Sequence, residues 1–185
     1  MKVGVKTNHV VRLMHPRHVV LVTCIDQKSG KPNIVTLAWS MPLSIDPPMV
    51  AISISPKRYS HGLIIENKEF VVNIPTINLV KQTLFCGKTS GRELDKFKET
   101  GLTPKPSKKV MPPIIEECIA HLECRVTNSI TTGDHTLFIS DVLDAYVNED
   151  VFTREIVDTS IAPIINHFGA EYFAAASKDI REIKL

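Results

Sequence analysis

The sequence predicts a mainly β protein with short helices, closed into a barrel. Its apolar stretches have about the length of strands and are rich in β-branched residues, as at His18–Asp26 and Met49–Ser55. Two longer segments, Ile115–Ser129 and Thr136–Val147, can coil and tilt as barrel strands must. We expect the whole chain, residues 1–185, to form a single domain with a carboxyl-terminal arm at about 150–185.

The amino-terminal half predicts a β hairpin followed by a third strand. Asn33–Ser40 pairs with the first strand through a five-residue loop, QKSGK. Pro42 and the run Asp46-Pro47-Pro48 then interrupt regular structure and set an extended connection. In the third strand Ser53 and Ser55 lie on the same face, because successive side chains alternate.

Short helices are predicted where the apolar spacing changes. A helix fits Ser60–Asn67 with Ser60 as its N-cap, and Ile77–Phe85 has the spacing of one helical face. The strand Phe70–Ile74 lies between them. From residue 86 to 113 the composition shifts to Gly, Lys, Ser, Thr and Pro, which predicts a long loop with a short helix at Glu93–Lys98.

The carboxyl-terminal half continues with the two long strands, joined by a turn at Gly133-Asp134. Beyond residue 150 the pattern is less regular. There, residues 162–165 predict a short edge strand and residues 171–176 a final strand.

Composition excludes several classes of partner and site. The formal charge of +2 comes from 22 basic and 20 acidic residues, too balanced for a nucleic-acid surface. No stretch approaches the ~20 apolar residues of a membrane helix, and no signal peptide is predicted, so we expect no membrane partner and a cytoplasmic protein. The four cysteines form no CxxC pair and are expected to be buried. His15 and His18 are too few for a zinc site, so no metal is expected.

One polar segment has the composition of an anion site. Ser53 and Ser55 precede Lys57, Arg58 and the Ser60-His61 pair at the start of a helix. An Arg side chain offers a planar set of donors for phosphate, and hydroxyls and helix amides can complete the shell. The alternative, a solvated turn with an N-cap, fits the spacing equally well. Neither GxGxxG nor a P-loop is present.

The run from Asn33 to Pro75, NIVTLAWSMPLSIDPPMVAISISPKRYSHGLIIENKEFVVNIP, resembles the first half of the flavin reductase-like, FMN-binding split-barrel family, most closely its flavoredoxin branch. Ser90-Gly91, Asp95-Lys96-Phe97 and the segment GDHTLFI at Gly133–Ile139 match further pieces. The resemblance covers roughly residues 10 to 175. It implies an FMN-binding split β-barrel of Greek-key type.

The resemblance also implies the residues of an FMN site. The polar edge of the isoalloxazine ring would lie along Asn33, Thr36, Leu37, Ala38 and Trp39. The ribityl phosphate would be held by Ser53, Ile54, Ser55, Arg58 and Ser60. The residues that close over the flavin would be Lys88, Ser90, Gly91, Lys96 and Phe97. The catalytic position would be His135, at the face where a reductant stacks. Three of these residues have structural alternatives: Trp39 in the core, Lys96 on a solvated helix, His135 as a hairpin cap.

The implied function is an FMN-dependent oxidoreductase with bound FMN and NAD(P)H as a transient donor. The acceptor would be free flavin, ferric iron or a partner protein. Two alternatives stay open: a flavoredoxin-like electron carrier or FMN-binding protein without nicotinamide activity, and a flavin-free barrel that serves in interactions or binds haem. We expect a homodimer, because open barrel edges need cover and a two-fold contact is the commonest way to provide it.

Overall fold

Antiparallel strands dominate the computed structural model, which describes residues 1–179. The strands are β1 (Arg17–His18), β2 (Val20–Asp26), β3 (Lys31–Leu37), β4 (Ser40–Ser44), β5 (Met49–Ile54), β6 (Glu69–Ile74), β7 (Pro104–Lys105), β8 (Ile114–Ile115), β9 (Ala120–Thr132), β10 (His135–Val147), β11 (Phe152–Thr153), β12 (Ile156–Val157), β13 (Ile165–Gly169) and β14 (Tyr172–Ala175). The α-helices are α1 (Tyr59–Asn67), α2 (Val80–Lys88) and α3 (Lys96–Thr100). Short 3-10 helices cover Thr7–Met14, Ile77–Leu79 and Glu149–Val151.

Seven strands form one sheet in the order β3-β2-β6-β9-β10-β5-β4. Its two longest strands, β9 and β10, change register between Ile139 and Ser140 and again between Val142 and Asp144. Such irregularities bend a strand and increase its twist, so this sheet curls rather than lying flat.

The two ends of the curled sheet meet at one point. β3 stands at one end, and the chain passes from it directly into β4 at the other end. Between them the carbonyl of Trp39 accepts a hydrogen bond from the backbone N–H of Ser53 at 2.9 Å. The outer edge of β3 has no strand partner within residues 1–179. The predicted mainly β fold is confirmed, and the barrel is split along β3.

Apolar side chains fill the barrel and a second layer outside it. β2 is buried on both faces: Val22 packs inside the barrel with Phe70 and Phe138. Leu21 faces outward and packs with Phe97 beneath α2 and α3. Full burial of one such side chain is worth about 1.5–3 kcal/mol. The two helices are therefore fastened to the outer face of β2 and β3.

A small second sheet, β1-β13-β14, joins the amino-terminal segment to the carboxyl-terminal part. The backbone N–H of Val19 donates to the carbonyl of Ile165 at 3.0 Å and continues this pairing. The 3-10 helix at Thr7–Met14 precedes β1 and buries none of its residues. The sequence pattern predicts neither this helix nor β1, and β1 depends on a partner about 150 residues away.

The predicted cap of the first α-helix is wrong. Arg58, not Ser60, occupies the N-cap position of α1, and it makes no side-chain capping bond. The hydroxyl of Ser60 is instead 2.7 Å from Asn33 Nδ2 and accepts its hydrogen bond. A contact between β3 and α1 has replaced the local capping interaction.

Other boundaries also differ from the predictions. The helix predicted at Glu93–Lys98 starts later, because the side chain of Asp95 caps α3 through the N–H of Lys98. Pro42 lies within β4, which tolerates it as an edge strand. The long strand β9 begins at Ala120, after a turn in which the N–H of Cys118 donates to the carbonyl of Ile115.

Two remaining expectations can be compared with the described residues. All four cysteines are free and buried, as the sequence predicts. No helix within residues 1–179 is long and apolar enough to cross a membrane.

Candidate functional site

The open edge of β3 is the centre of the candidate site. The buried amine of Lys96 donates to the carbonyl of Ile34 at 2.8 Å and to that of Cys86, near the end of α2, at 2.7 Å. Backbone polar groups alternate sides along a strand, so those of Thr36, two residues beyond Ile34, face the same open edge. Burial lowers the pKa of Lys96. The predicted alternative of a solvated lysine is wrong.

A pocket of about 270 Å³, here called the inner pocket, lies beside this edge. Its lining includes Asn33, Lys57, Arg58, Ser60, Lys88, Ser90, Gly91 and Lys96. The only acidic side chain in the lining is Glu93, so cationic groups predominate. Arg58 makes one weak hydrogen bond, from Nη1 to the carbonyl of Gly87 at 3.4 Å. Lys88 forms an ion pair with Glu171 at the exposed surface. The pocket is therefore suited to an anion.

The floor of the inner pocket is held by a buried amide. Asn33 donates to Ser60, but its Oδ1 has no hydrogen-bond partner among the described residues. Gly91 lies directly against this atom: a Cβ there would be only 2.1 Å from Asn33 Oδ1. A glycine is required for the loop after α2 to approach so closely. The unpaired oxygen leaves an acceptor available in a buried place, where an unmet polar group is unfavourable.

A larger cavity of about 700 Å³, here called the outer cavity, adjoins the inner pocket through Val35, Lys57 and Arg58, which line both. Its volume is in the range of small-molecule sites. One side is formed by Thr36–Trp39 and the opposite side by Ser53–Ser55. The split between β3 and β5 thus opens into a cavity, and the two strands present backbone and hydroxyl groups to it.

Two rings stand at the mouth of the outer cavity. Trp39 is 39% exposed, and its ring centroid lies 4.6 Å from that of His135 at an angle of 32°. Asp134 bonds His135 Nδ1 at 2.7 Å, as the hairpin-cap alternative predicts, although the imidazole also lines the cavity. The alternative of Trp39 as a core residue is wrong.

Residues from both ends of the described chain complete the outer cavity. We call Arg12, His15, Arg17 and His167 the terminal wall. Arg17 lies 5.5 Å from the centroid of the Trp39 ring, within cation–π range. His15 Nδ1 is 2.7 Å from the carbonyl of His167.

The structure brings together the predicted site residues with one exception. Those on the inner pocket are Asn33, Arg58, Ser60, Lys88, Ser90, Gly91 and Lys96. Those on the outer cavity are Thr36, Leu37, Ala38, Trp39, Ser53, Ile54, Ser55, Arg58 and His135. Phe97 lines neither, because its ring packs in the apolar layer beneath α3.

His61, considered for the anion site, lies elsewhere. Its Nε2 is 2.9 Å from Thr136 Oγ1, and its ring contacts Phe138. It does not line the inner pocket or the outer cavity.

Sequence reasoning missed the terminal wall and Gly87 in α2. Gly87 lies close to Thr36, where a Cβ would be 3.3 Å from Thr36 Cβ, so α2 can pack tightly on β3. Arg12 and Arg17 belong to a segment without a clear periodic pattern. The only indication in the sequence is that these two positive charges lie close together, and this alone does not predict a strand, a helix or a site.

Residues 12–176 match the family model described as "Flavin reductase like domain". An uncharacterized protein of Archaeoglobus fulgidus is 47% identical over 113 residues, which span 61% of this chain and 64% of that protein. The uncharacterized protein YddH of Escherichia coli is 31% identical, with 96% of both chains covered.

Two further relatives carry functional descriptions. The ferric-chelate reductase (NAD(P)H) of Archaeoglobus fulgidus is 26% identical over 58% of this chain and 63% of that protein. Among solved structures, the flavoredoxin of Desulfovibrio vulgaris (Miyazaki F) superimposes with a TM-score of 0.86 and 26% identity, covering 98% of this chain and 96% of that chain.

Proposed function

Because this chain belongs to the flavin reductase-like family, whose members include flavin-linked oxidoreductases and electron carriers, we propose that it binds FMN in its split barrel and acts as an oxidoreductase. The observation that carries this proposal is the junction of two spaces. A cationic inner pocket adjoins an outer cavity along the open edge of β3, and Arg58 lines both.

The residues present fit FMN. Its phosphate would take the inner pocket, where Arg58 and Ser60 offer donors and the amino end of α1 has no side-chain cap. Its ring would lie along Thr36–Trp39, where the backbone of β3 lacks a strand partner. The unpaired Oδ1 of Asn33 supplies an acceptor for a polar N–H or hydroxyl.

FMN, when bound, supplies the hydride and electron chemistry. The protein positions the reactants and limits water. Trp39 and His135 form the open face against which a reductant would stack, and Asp134 fixes the imidazole through Nδ1. Lys96 lines the inner pocket, where its amine would add to the attraction for the phosphate.

The finer proposal is NAD(P)H as the transient donor, with free flavin, ferric iron or a protein as acceptor. The similarity to a ferric-chelate reductase that uses NAD(P)H supports this donor. The similarity to a flavoredoxin over almost the whole chain favours a second candidate, an electron carrier that is not reduced by nicotinamides.

We further propose a homodimer. β4 lies at the end of the sheet and exposes the apolar side chains of Trp39, Met41, Leu43 and Ile45 along its path. A two-fold contact between copies would cover this edge. Light scattering should then give twice the chain mass of 20.6 kDa.

The proposal is tested by the absorbance of the purified protein and by identification of the released cofactor. We expect a flavin spectrum, FMN after denaturation, and bleaching by NADPH or NADH without oxygen. Reduction by a ferredoxin-type donor alone would favour the carrier. A protein that takes up no flavin would overturn the proposal and leave the flavin-free barrel.

A further inference from the structure

The terminal wall differs chemically from the rest of the outer cavity. Arg12, His15 and Arg17 line this cavity, as does His167, and none of the four lines the inner pocket. The proposed phosphate site therefore does not use them. Two guanidinium groups and two imidazoles of the outer cavity therefore have no part in that site.

Arg12 is the least engaged of these side chains. The Arg12 guanidinium makes no hydrogen bond and no ion pair with any described residue, and its Nε would lie 3.9 Å from a Cβ at position 169. The absent side chain at Gly169 leaves room for the guanidinium beside β13. An arginine held there without an acceptor retains its full set of donors.

The side chain of Arg17 also stabilises the amino-terminal 3-10 helix. It donates to the carbonyls of Met14 and Val11, which close the 3-10 helix, and its guanidinium also lies over Trp39. These contacts fix its charge beside the cavity. They also mean that its replacement would disturb the amino-terminal segment, so Arg12 is the cleaner probe.

The histidines are oriented by backbone carbonyls. His15 donates from Nδ1 to the carbonyl of His167, and His167 donates from Nε2 to that of Ala170 at 3.1 Å. The other ring nitrogen of His15, Nε2, lies near Gly169 and would be 3.8 Å from a Cβ at that position. The acidic side chain in the cavity lining is Asp134, which is already bonded to His135. Nothing acidic in that lining neutralises the terminal wall.

From this arrangement we propose that the terminal wall is an anion site, which binds a carboxylate or phosphate of the small molecule that exchanges electrons in the outer cavity. The inference rests on the proposed function and names the class of its small-molecule partner. Guanidinium groups bind both anions through paired hydrogen bonds, so the wall alone does not distinguish a carboxylate chelate from a phosphorylated donor.

The test is calorimetric titration of the FMN-loaded protein with citrate and, separately, adenosine 2′,5′-bisphosphate. We expect at least one probe to bind, and the Arg12→Gln variant to bind it roughly tenfold more weakly, the loss of one charge-assisted hydrogen bond. Lys28→Gln is the matched control, because Lys28 is an exposed cation in the β2–β3 turn, at the opposite end of β3. It should bind as the wild type does.

The outcomes are distinct. If only citrate binds, and its binding depends on Arg12, the partner carries a carboxylate. If only the bisphosphate binds in this way, the partner carries a phosphate. Absence of binding by both probes, or equal binding by Arg12→Gln and wild type, overturns the proposal. Flavin content is measured on the same samples by absorbance. If no flavin is taken up, the proposed function fails, yet the citrate titration of Arg12→Gln still tests the wall.

Discussion

The inner pocket and the terminal wall are both cationic, but they are built in opposite ways. The inner pocket is formed by residues of the barrel and of α1 to α3. Its side chains are already bonded within the protein, Asn33 to Ser60 and Lys96 to two backbone carbonyls. The terminal wall is formed by the two ends of the described chain, held by β1 and β13. Its Arg12 has no acceptor among the described residues.

This difference indicates that the two regions tolerate substitution differently. A site that shares its hydrogen bonds with the core is preorganised, and a change there affects folding as well as binding. A site on a small peripheral sheet can change without disturbing the barrel. Under the proposed function, the cofactor is held by the first region and the exchanging partner meets the second.

The largest effect should come from Lys96→Met, which keeps the length of the side chain and removes the amine. The carbonyls of Ile34 and Cys86 then lose their donor, and the open edge of β3 is no longer tied to α2. We expect the free energy of unfolding to fall by about 3 kcal/mol in urea titrations. Lys98→Met, exposed on the same helix, should stay within about 0.5 kcal/mol. Equal stability of the two variants would mean that the inner pocket is not part of the core.

The next effect separates the two regions directly. Arg58→Ala should weaken FMN binding by about 1.5–3 kcal/mol, because one charge-assisted phosphate contact is lost. The Arg12→Gln variant should retain FMN as the wild type does. Both affinities can be measured by the quenching of flavin fluorescence on binding. Equal FMN retention in Arg58→Ala would mean that its guanidinium does not hold the phosphate, and would remove the distinction between the two regions.

A smaller effect is expected from Gly91→Ala. The added Cβ would lie 2.1 Å from Asn33 Oδ1 and 2.8 Å from Cγ, so the amide must move and its bond to Ser60 is strained. We expect a loss of about 1–2 kcal/mol in stability together with weaker FMN binding. Gly62→Ala is the control, since a Cβ there meets nothing within 4 Å and alanine favours a helix. A stable Gly91→Ala variant that still binds FMN would show that the loop yields easily.

The sequence predicts the barrel better than it predicts the wall. Strands such as β2 and β10 can be predicted from their own residues, because burial of one or both faces determines which positions are apolar. The polar segment from Ser53 to Ser60 lies beside the candidate site, although Ser53 and Ser55 line the outer cavity and Ser60 lines the inner pocket. In both cases neighbouring residues carry the information.

The remaining features depend on contacts between distant segments. Ser60 is a poor guide to its own helix because its hydroxyl is bonded to Asn33. Phe97 matches the family motif, yet its ring packs on the apolar layer outside the barrel. Arg12 reaches the cavity only because β1 pairs with β13. None of these pairings has a local signature.

The unpaired outer edge of β3 has a consequence for the protein during synthesis. An edge without a strand partner can pair with other chains. Lys96 already bonds the Ile34 carbonyl on this edge, and under the proposed function the flavin would cover the part near Thr36. Because a ligand that binds only the native state raises its stability, FMN bound as proposed would also lower the fraction of unfolded chain that can aggregate.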